Sequence, residues 1–282
     1  MSVTTQTAPG SLIREQTLFE TVIQSGKIPV VASLFDIFPG KGTQRKLFSV
    51  DDTKATIYPE TGAGNSIVPN STTFALITFN QKRMGDAIPV TKQLIHDNGV
   101  NLGDHNHDIL AKRILKGSAS QAFGYGNADG SGLQFQSILD YNSQTEAKKI
   151  NKLSIAEFTG ATVENLDLAY GVFTDNHSGE AVIAVDSAAT ALGLKDETGK
   201  LLKTDNRANG GIGTIYGIQV YVQDMNEKAK IVLMDPKAYA ISVREGIDVF
   251  TAEDRLNARF IDIADIYSQG LVVNPTAIVI IK

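Results

Sequence analysis

The sequence predicts an α+β fold, and three stretches of the chain carry this prediction. From Asp104 to Phe123 apolar residues recur at helical spacing, which predicts one amphipathic helix of about 20 residues. Residues 133–235 alternate strand and helix patterns, as in a small layered unit of sheet and helices. Residues 246–282 are rich in strand patterns and end in a continuous apolar run, so we expect this terminus to be buried in a sheet.

Composition limits the classes of function. A chain of 282 residues can form one large domain or two modest ones, and its formal charge of −5 comes without any block of Lys or Arg. Direct nucleic-acid binding is therefore not expected. The chain has no cysteine, which excludes disulfides, thiolate metal sites and a cysteine nucleophile. The polar N-terminus does not match a signal peptide, and no apolar run approaches the ~20 residues of a membrane span.

The first part of the chain has little core of its own. Residues 1–27 are polar apart from a short amphipathic patch at 12–23, and an apolar anchor follows at 28–35. Residues 45–50 and 74–79 have strand patterns, separated by breakers that include Pro59 and Gly62. They predict a long antiparallel hairpin with an irregular tip. Since an isolated hairpin is marginal in water, the rest of the chain or a neighbouring subunit must cover it.

The long helix is expected to begin with Asp104 as its N-cap and to end at Gly124-Tyr125-Gly126. A short helical segment is predicted before it at 91–97, and a strand after it at 134–141. The residues predicted to line the buried face of the long helix are Ile109, Leu110, Ile114, Leu115, Ala119, Ala122 and Phe123.

The mixed unit that follows is predicted to alternate helices and strands. Its helices are expected at 161–174 and 187–194, the second of them capped by Ser187. Its strands are expected at 180–186, 217–222 and 230–234, and residues 206–213 form a loose glycine-rich loop. Beyond this unit, strands are predicted at 259–263 and 276–281.

Candidate chemical sites have more ordinary explanations. His105, His107 and Asp108 suggest metal ligands, but the two histidines are two residues apart and lie on different faces of a helix, so we interpret them as a polar helix start. Residues 124–130 lack the strand-then-helix order of a phosphate loop and the ligand spacing of a calcium loop.

The remaining candidates also lack catalytic context. The acid pairs at 51–52 and 253–254 are typical of a solvated surface, and no Gly-x-Ser-x-Gly nucleophile motif is present. The sequence therefore predicts no catalytic, cofactor-binding or metal-binding residue, and no cofactor.

The order of the elements resembles that of one known family. Its most specific pieces are the helix ending at 123–126 before Gly132-Leu133, the strand, helix and turn of 182–202, and the closing run at 275–280. Together they resemble, over nearly the whole chain, the major capsid proteins of tailed bacteriophages with the HK97-type fold. The resemblance implies a structural protein that assembles with copies of itself, as hexamers and pentamers, into an icosahedral shell around double-stranded DNA.

The resemblance also implies a division of the chain. Residues 1–43 would be an N-terminal arm and anchor, and 44–80 an extended loop lying over the neighbouring subunit. Residues 81–132 and 246–282 would form a peripheral domain with the long helix as its spine, and 133–245 an axial domain at the capsomer centre.

The resemblance further implies scaffolding and portal proteins as partners, only weak non-specific contact with packaged DNA, and no membrane. Assembly would take place in the host bacterial cytoplasm, and the product would be the virion capsid. Some members of the family join subunits by a Lys–Asn bond. Such a bond is not expected here, because residues 58–70 contain no lysine, although Lys54 and Asn257 lie in the general regions concerned.

Three alternatives stay open at this point. An encapsulin-like nanocompartment shell shares the fold but encloses an enzyme cargo. A small metal-dependent hydrolase would use His105, His107 and Asp108, and metal analysis would detect it. A tail or adhesion protein is the third alternative, which the order of elements does not favour.

Overall fold

The computed structural model describes residues 34–40, 44–50, 73–92, 102–132, 134–177, 179–195, 198–204, 211–244 and 246–282. Its strands in chain order are β1 (Asp36–Pro39), β2 (Gln44–Val50), β3 (Thr73–Phe79), β4 (Lys82–Thr91), β5 (Ala156–Phe158), β6 (Val182–Val185), β7 (Gly213–Ile215), β8 (Ile218–Val222), β9 (Ile231–Met234), β10 (Tyr239–Val243), β11 (Asp248–Asp254), β12 (Arg259–Val272) and β13 (Ile278–Ile281). Its α-helices are α1 (Leu102–Ser120), α2 (Val163–Asn176) and α3 (Ala188–Gly193).

Short helical turns connect these elements. A π-helical turn covers Gln121–Tyr125, directly after α1. Single 3-10 turns cover Tyr141–Ser143, Glu146–Lys148, Ile150–Lys152, Pro236–Ala238 and Pro275–Ala277.

A five-stranded sheet is built on the long strand β12. β10 and β11 follow each other along one edge of β12, and β4 occupies its other edge, all antiparallel to it. β1 adds to β10 in parallel. Neither β1, β4 nor β10 was predicted from the sequence. Thr91, predicted to begin a helix, is instead the last residue of β4, and residues 93–97 of that prediction lie outside the described residues.

A six-stranded sheet has the order β5-β13-β9-β6-β8-β7. Its strands β6, β8, β9 and β13 were predicted from their apolar runs, and every residue of β6, β9 and β13 is buried. β10 and β13 each follow a strand of the other sheet along the chain, so the two sheets exchange strands.

The long helix was predicted correctly along most of its length. Leu110, Ile114 and Leu115 are buried against the five-stranded sheet, as expected from their spacing. The expected N-cap is wrong: α1 begins at Leu102, so Asp104 lies inside its first turn. Helix starts are weakly specified by sequence, because several polar residues in a row can serve as caps.

The glycine corner after this helix is confirmed. Gly124 has a φ of +118°, a conformation that favours glycine, and a Cβ at Gly126 would lie 2.2 Å from the carbonyl oxygen of Phe135. The strand predicted at 134–141 is wrong. Gln136 makes only an isolated bridge to Asn127, and the chain then enters turns in which the Asn142 side chain bonds both backbone groups of Ile155.

The helices of the mixed unit are confirmed. The hydroxyl of Thr162 caps α2 by accepting from the backbone N–H of Asn165, and the hydroxyl of Ser187 caps α3 by accepting from that of Thr190. Both helices lie on one face of the six-stranded sheet. Its other face joins the core that also holds α1 and the five-stranded sheet.

The hairpin predicted in the first part of the chain is also confirmed. β2 and β3 pair antiparallel from Gln44↔Phe79 to Val50↔Thr73, as a separate two-stranded sheet. At its base, Ile77 and Phe79 are buried against Ala240 and Val273. The alternate residue Leu76 is 57% exposed, so the hairpin rests on the body by one face near its base. The predicted tip, residues 51–72, lies outside the described residues.

Candidate functional site

The polar start of α1 fastens the helix to the sheet. Asp262 of β12 is buried and accepts hydrogen bonds from Asn106 Nδ2 at 2.9 Å and from Thr251 Oγ1 at 2.6 Å. His107 Nε2 lies 3.7 Å from the same carboxylate, whereas Asp108 is exposed. The geometry therefore separates His107 from Asp108 and gives this cluster a role in packing. The side chain of His105 is outside the described set.

A second histidine, which the sequence did not single out, lies beside a buried carboxylate. His177 Nε2 is 2.7 Å from Asp235 Oδ2, at the point where α2 ends. Asp235 also accepts from the backbone N–H of Lys237 at 2.8 Å and so caps the 3-10 turn before β10. This pair joins a helix end to a strand connection, a contact that only the tertiary fold could reveal.

The glycine corner is held by side chains from the turn before β9. The carbonyl oxygen of Gly124 accepts from Lys228 Nζ at 2.9 Å and from Asn226 Nδ2 at 3.2 Å. Further on, hydrogen bonding by Ser131 and Lys148 lowers the pKa of Asp129 to about 2. The polar groups of the corner are therefore hydrogen-bonded to other groups of the same chain. This agrees with the interpretation of the corner as a structural turn.

The acid pair at 253–254 lies on the surface, as predicted, and both side chains are ion-paired. Lys92 and Arg255 hold the pKa of Glu253 below its usual value, and Asn257 and Arg259 do the same for Asp254. The pair at 51–52 is outside the described residues.

Within the described ranges, no three His, Asp or Glu side chains are grouped so that they could hold a metal ion. None of the helices there is both long and apolar enough to cross a membrane.

The open feature of the molecule is one face of the five-stranded sheet. Strand alternation places Met84, Ile88 and Ile266 on the face covered by α1. The opposite face carries a second apolar set across three strands, formed by Ala87, Pro89, Phe250, Ala252, Ile261 and Ile263. Phe250 is 40% exposed, and Ala87 and Pro89 are exposed as well. We call this set the outer face.

Ion pairs border the outer face at both ends. Arg83 Nη2 is 2.6 Å from Asp265 Oδ2 at one end, and Arg259 Nε is 2.8 Å from Asp254 Oδ2 at the other. An apolar centre with a charged rim is the usual anatomy of a protein–protein contact. The outer face and the partly uncovered hairpin are therefore the two candidate surfaces for contact with another protein chain.

Comparison with solved structures defines the class of the protein. The capsid of an empty GTA particle, computed with C5 symmetry, matches with a TM-score of 0.67 at 16% identity, covering 89% of each chain. A chain of Mycobacterium phage Adephagia matches at 0.64 and 15%, covering 90% of this chain and 89% of that one. A chain of Microbacterium phage Oxtober96 matches at 0.65 and 13%, covering 89% and 90%. The fold is that of HK97-like phage capsid subunits, which are structural proteins.

The family follows from the sequence itself. The model of the phage capsid family matches residues 14–282, so the chain belongs to that family and is a capsid shell protein. No protein with a curated description matches the sequence. The family assignment agrees with the resemblance stated above and places the chain in the virion capsid.

Proposed function

We propose that copies of this chain assemble into a closed icosahedral shell around double-stranded DNA, and that the β2–β3 hairpin and the outer face form the contact between adjacent subunits. The proposal rests on one observation: the same chain has both the hairpin and the outer face. The hairpin is a two-stranded ribbon attached near its base, and the outer face is an apolar sheet surface without a covering element among the described residues. Each needs a partner surface, and a second copy supplies both.

Such a contact is heterologous, because a hairpin of one copy meets a different surface of the next. Repeated heterologous contacts close into rings when the rotation between copies allows it. The GTA capsids to which this chain is similar were computed with C5 symmetry, which supports pentamers as one such ring. Hexamers are the second ring that an icosahedral shell of many copies requires.

The parts of the subunit are proposed as follows. Residues 1–43 act as arm and anchor, and 44–80 as the extended loop. Residues 81–132 and 246–282 act as the peripheral domain, and 133–245 as the axial domain. The two sheets support this division in outline, although β13 lies in the sheet of the axial unit and β10 in the sheet of the peripheral unit. The two units are therefore joined by strand exchange rather than by a linker.

The proposed partners follow from charge and from the shell itself. A chain with net charge −5 and no cationic block suits a container wall that holds DNA without strong phosphate contacts. We propose that it acts without catalysis or a cofactor. Scaffolding and portal proteins would be separate partners, and assembly would take place in the host cytoplasm.

Deletion of residues 52–72, with a short glycine-serine link between the two strands, tests the hairpin contact. We expect a folded monomer with the melting temperature of the unmodified chain that forms no closed particles in electron micrographs. A control with the natural segment replaced by a flexible linker of equal length separates the loss of specific contacts from the change in loop length. Shells of normal size from the deletion variant would show that the hairpin contact is not needed.

A further inference from the structure

A groove of about 860 Å³ lies where α2 ends, beside the first residues of β6 and β8. Its base is apolar, since the lining residues Phe173 and Tyr221 are each 2% exposed. Tyr170, at its edge, has 37% of its surface in water. Among the described residues that line the groove, none is Lys or Arg. The groove is a third open surface, on the six-stranded sheet rather than on the five-stranded one.

The turn beside the groove contains a tyrosine in an unusual backbone conformation. Tyr216 and Gly217 are the two residues that join β7 to β8, and their φ angles are +53° and +79°. A two-residue hairpin turn of this kind favours Asn-Gly or Asp-Gly, because other side chains are strained at positive φ. A tyrosine at the first position therefore weakens the turn, and strain of this kind directs attention to what the side chain contacts.

The side chain of Tyr216 holds a second tyrosine and an acid at the edge of the groove. Its ring centroid lies 5.7 Å from that of Tyr170. Its hydroxyl donates to the carboxylate of Asp167, one turn before Tyr170 on α2. Burial and this hydrogen bond raise the pKa of Tyr216 to about 12, so the hydroxyl stays protonated at neutral pH. Tyr170 is therefore held in place before a ligand arrives, which lowers the ordering cost of binding.

The charges at this end of the sheet favour a cationic ligand. The sequence of α2 has three acidic residues and neither Lys nor Arg. Glu180 lines the groove and is exposed. The imidazole of His177 also lines it, but its Nε2 is 2.7 Å from Asp235 Oδ2 and is engaged within the chain. Lys237 is exposed and is not one of the lining residues. A phosphate or another anion is therefore repelled, and a cation is attracted.

A guanidinium group suits this arrangement better than an ammonium group. Arginine is planar, stacks on aromatic rings and pairs with carboxylates through two N–H donors, whereas the ammonium of lysine is strongly hydrated. The exposed ring of Tyr170 offers a stacking surface, and Glu180 offers carboxylate oxygens in the same groove. The apolar base suits the rest of a peptide rather than a small free cation. A copy of this chain, with net charge −5 and no block of Lys or Arg, offers no basic segment of that kind.

We propose that the groove at the end of α2 binds an arginine side chain in a basic segment of a second protein, with the guanidinium stacked on Tyr170 and paired with Glu180. Tyr216 and Asp167 act as positioning residues for Tyr170. The inference goes beyond the proposed function, since it concerns a partner other than a copy of this chain and needs none of the shell contacts. Either of the two can therefore fail while the other stands.

Peptide binding to the full chain tests the site directly. The probe is a short fluorescein-labelled peptide that carries arginines among alanines and glycines, and its matched versions carry lysine or glutamine instead. We expect a saturable rise in fluorescence anisotropy with the arginine peptide, about fivefold weaker binding of the lysine peptide and none of the glutamine peptide. Equal binding of the arginine and lysine peptides overturns the stacking, and no binding of the arginine peptide overturns the site.

Two substitutions in the groove identify the contacts. Tyr170→Leu removes the ring and Glu180→Gln removes the charge, and each should weaken binding of the arginine peptide about tenfold. Tyr170→Phe keeps the ring and should bind as the unmodified chain does. Glu164→Gln, in the first turn of α2 and outside the lining, is the matched control for loss of charge. Binding that is unchanged in Tyr170→Leu and Glu180→Gln overturns the proposal.

Tyr216→Asn separates positioning from support of the fold. Asn accepts positive φ readily, so the melting temperature of this variant should equal or exceed that of the unmodified chain. Binding of the arginine peptide should nevertheless weaken about threefold, because Tyr170 then has to be ordered on binding. A variant that is equally stable and binds the peptide as tightly shows that Tyr216 is not a positioning residue.

Particle formation distinguishes a second protein from a second copy. Tyr170→Leu and Glu180→Gln should form as many closed particles as the unmodified chain in electron micrographs. If either forms about tenfold fewer particles while its melting temperature is unchanged, the groove is a contact between copies and the proposal is wrong. If the unmodified chain binds the arginine peptide but forms no particles, the proposed function is wrong and this inference stands.

Discussion

The two faces of the five-stranded sheet carry similar apolar residues, but only one of them is covered by the long helix. One face presents Met84, Ile88 and Ile266 to the long helix α1 and belongs to the main core. The other carries Phe250, which is exposed, and Ile261 and Ile263, which are partly buried. Apolar alternation alone does not distinguish them, because both faces of these strands carry aliphatic side chains. The difference is the basis of the proposal that one side of the sheet serves the subunit and the other its neighbours.

The largest effect is expected when a charged side chain is introduced on the covered side of the sheet. Leu115 of α1 is 6% exposed and belongs to the core between helix and sheet. Leu115→Asp should abolish soluble folding, since an unpaired buried carboxylate costs more than the marginal stability of a domain. Expression in the soluble fraction and the melting temperature measure this effect. A soluble monodisperse variant would show that the helix packs by another face.

The matched charge on the outer face should act mainly on assembly. Ile263→Asp replaces a partly buried residue, so we expect a loss of about 1 kcal/mol in the free energy of unfolding. The same variant should form no closed particles, because the charge would have to be buried under the neighbouring subunit. Urea unfolding and electron microscopy of one preparation separate the two effects. Normal particles from Ile263→Asp would remove the outer face from the proposed contact.

The smallest expected effect concerns pH at the glycine corner. The pKa of Asp129 is lowered to about 2, below its unfolded value. Its contribution to stability is therefore complete above the unfolded pKa near 3.8 and is lost as the pH falls towards 2. Since the carboxyl is partly exposed, we expect less than about 1 kcal/mol after solvent screening.

Asp129→Asn is the variant that isolates this contribution. It should lower stability above pH 5 by less than about 1 kcal/mol, have little effect near pH 2, and so remove that part of the pH dependence between pH 4 and 2, as measured by urea unfolding at several pH values. A variant with the same pH dependence as the unmodified chain would show that Asp129 makes no such contribution.

Local patterns predicted the elements that bury a regular face. The long helix, α2, α3 and the apolar strands β6, β8, β9 and β13 follow directly from apolar spacing. β4 was missed because Gly85 and Pro89 interrupt it. The structure tolerates Pro89 because, among the described strands, β4 pairs with β12 alone, so the opposite side of β4 needs no N–H donor.

Other elements were not predicted because they depend on contacts between residues that are distant in sequence. β1 has four residues and exists only by parallel pairing with β10, some 200 positions later. The predicted strand at 134–141 had the right apolar content, since Phe135, Ile138 and Leu139 are buried. Its backbone instead follows side-chain bonds from Asn142 and Ser137 into turns. For the surfaces that we propose for assembly, the sequence predicted only that they need partners. Which residues form the outer face depends on the register of β4, β11 and β12, which no local pattern specifies.

Strand exchange between the two sheets has a mechanical consequence for a subunit of a shell. The backbone passes from one sheet to the other at residues 92–155, 235–238 and 273–277. Tension that pulls the units apart is therefore carried by three covalent tethers in parallel, two of them only four and five residues long. Rupture between subunits should precede any separation within one, so a burst particle should release intact protomers.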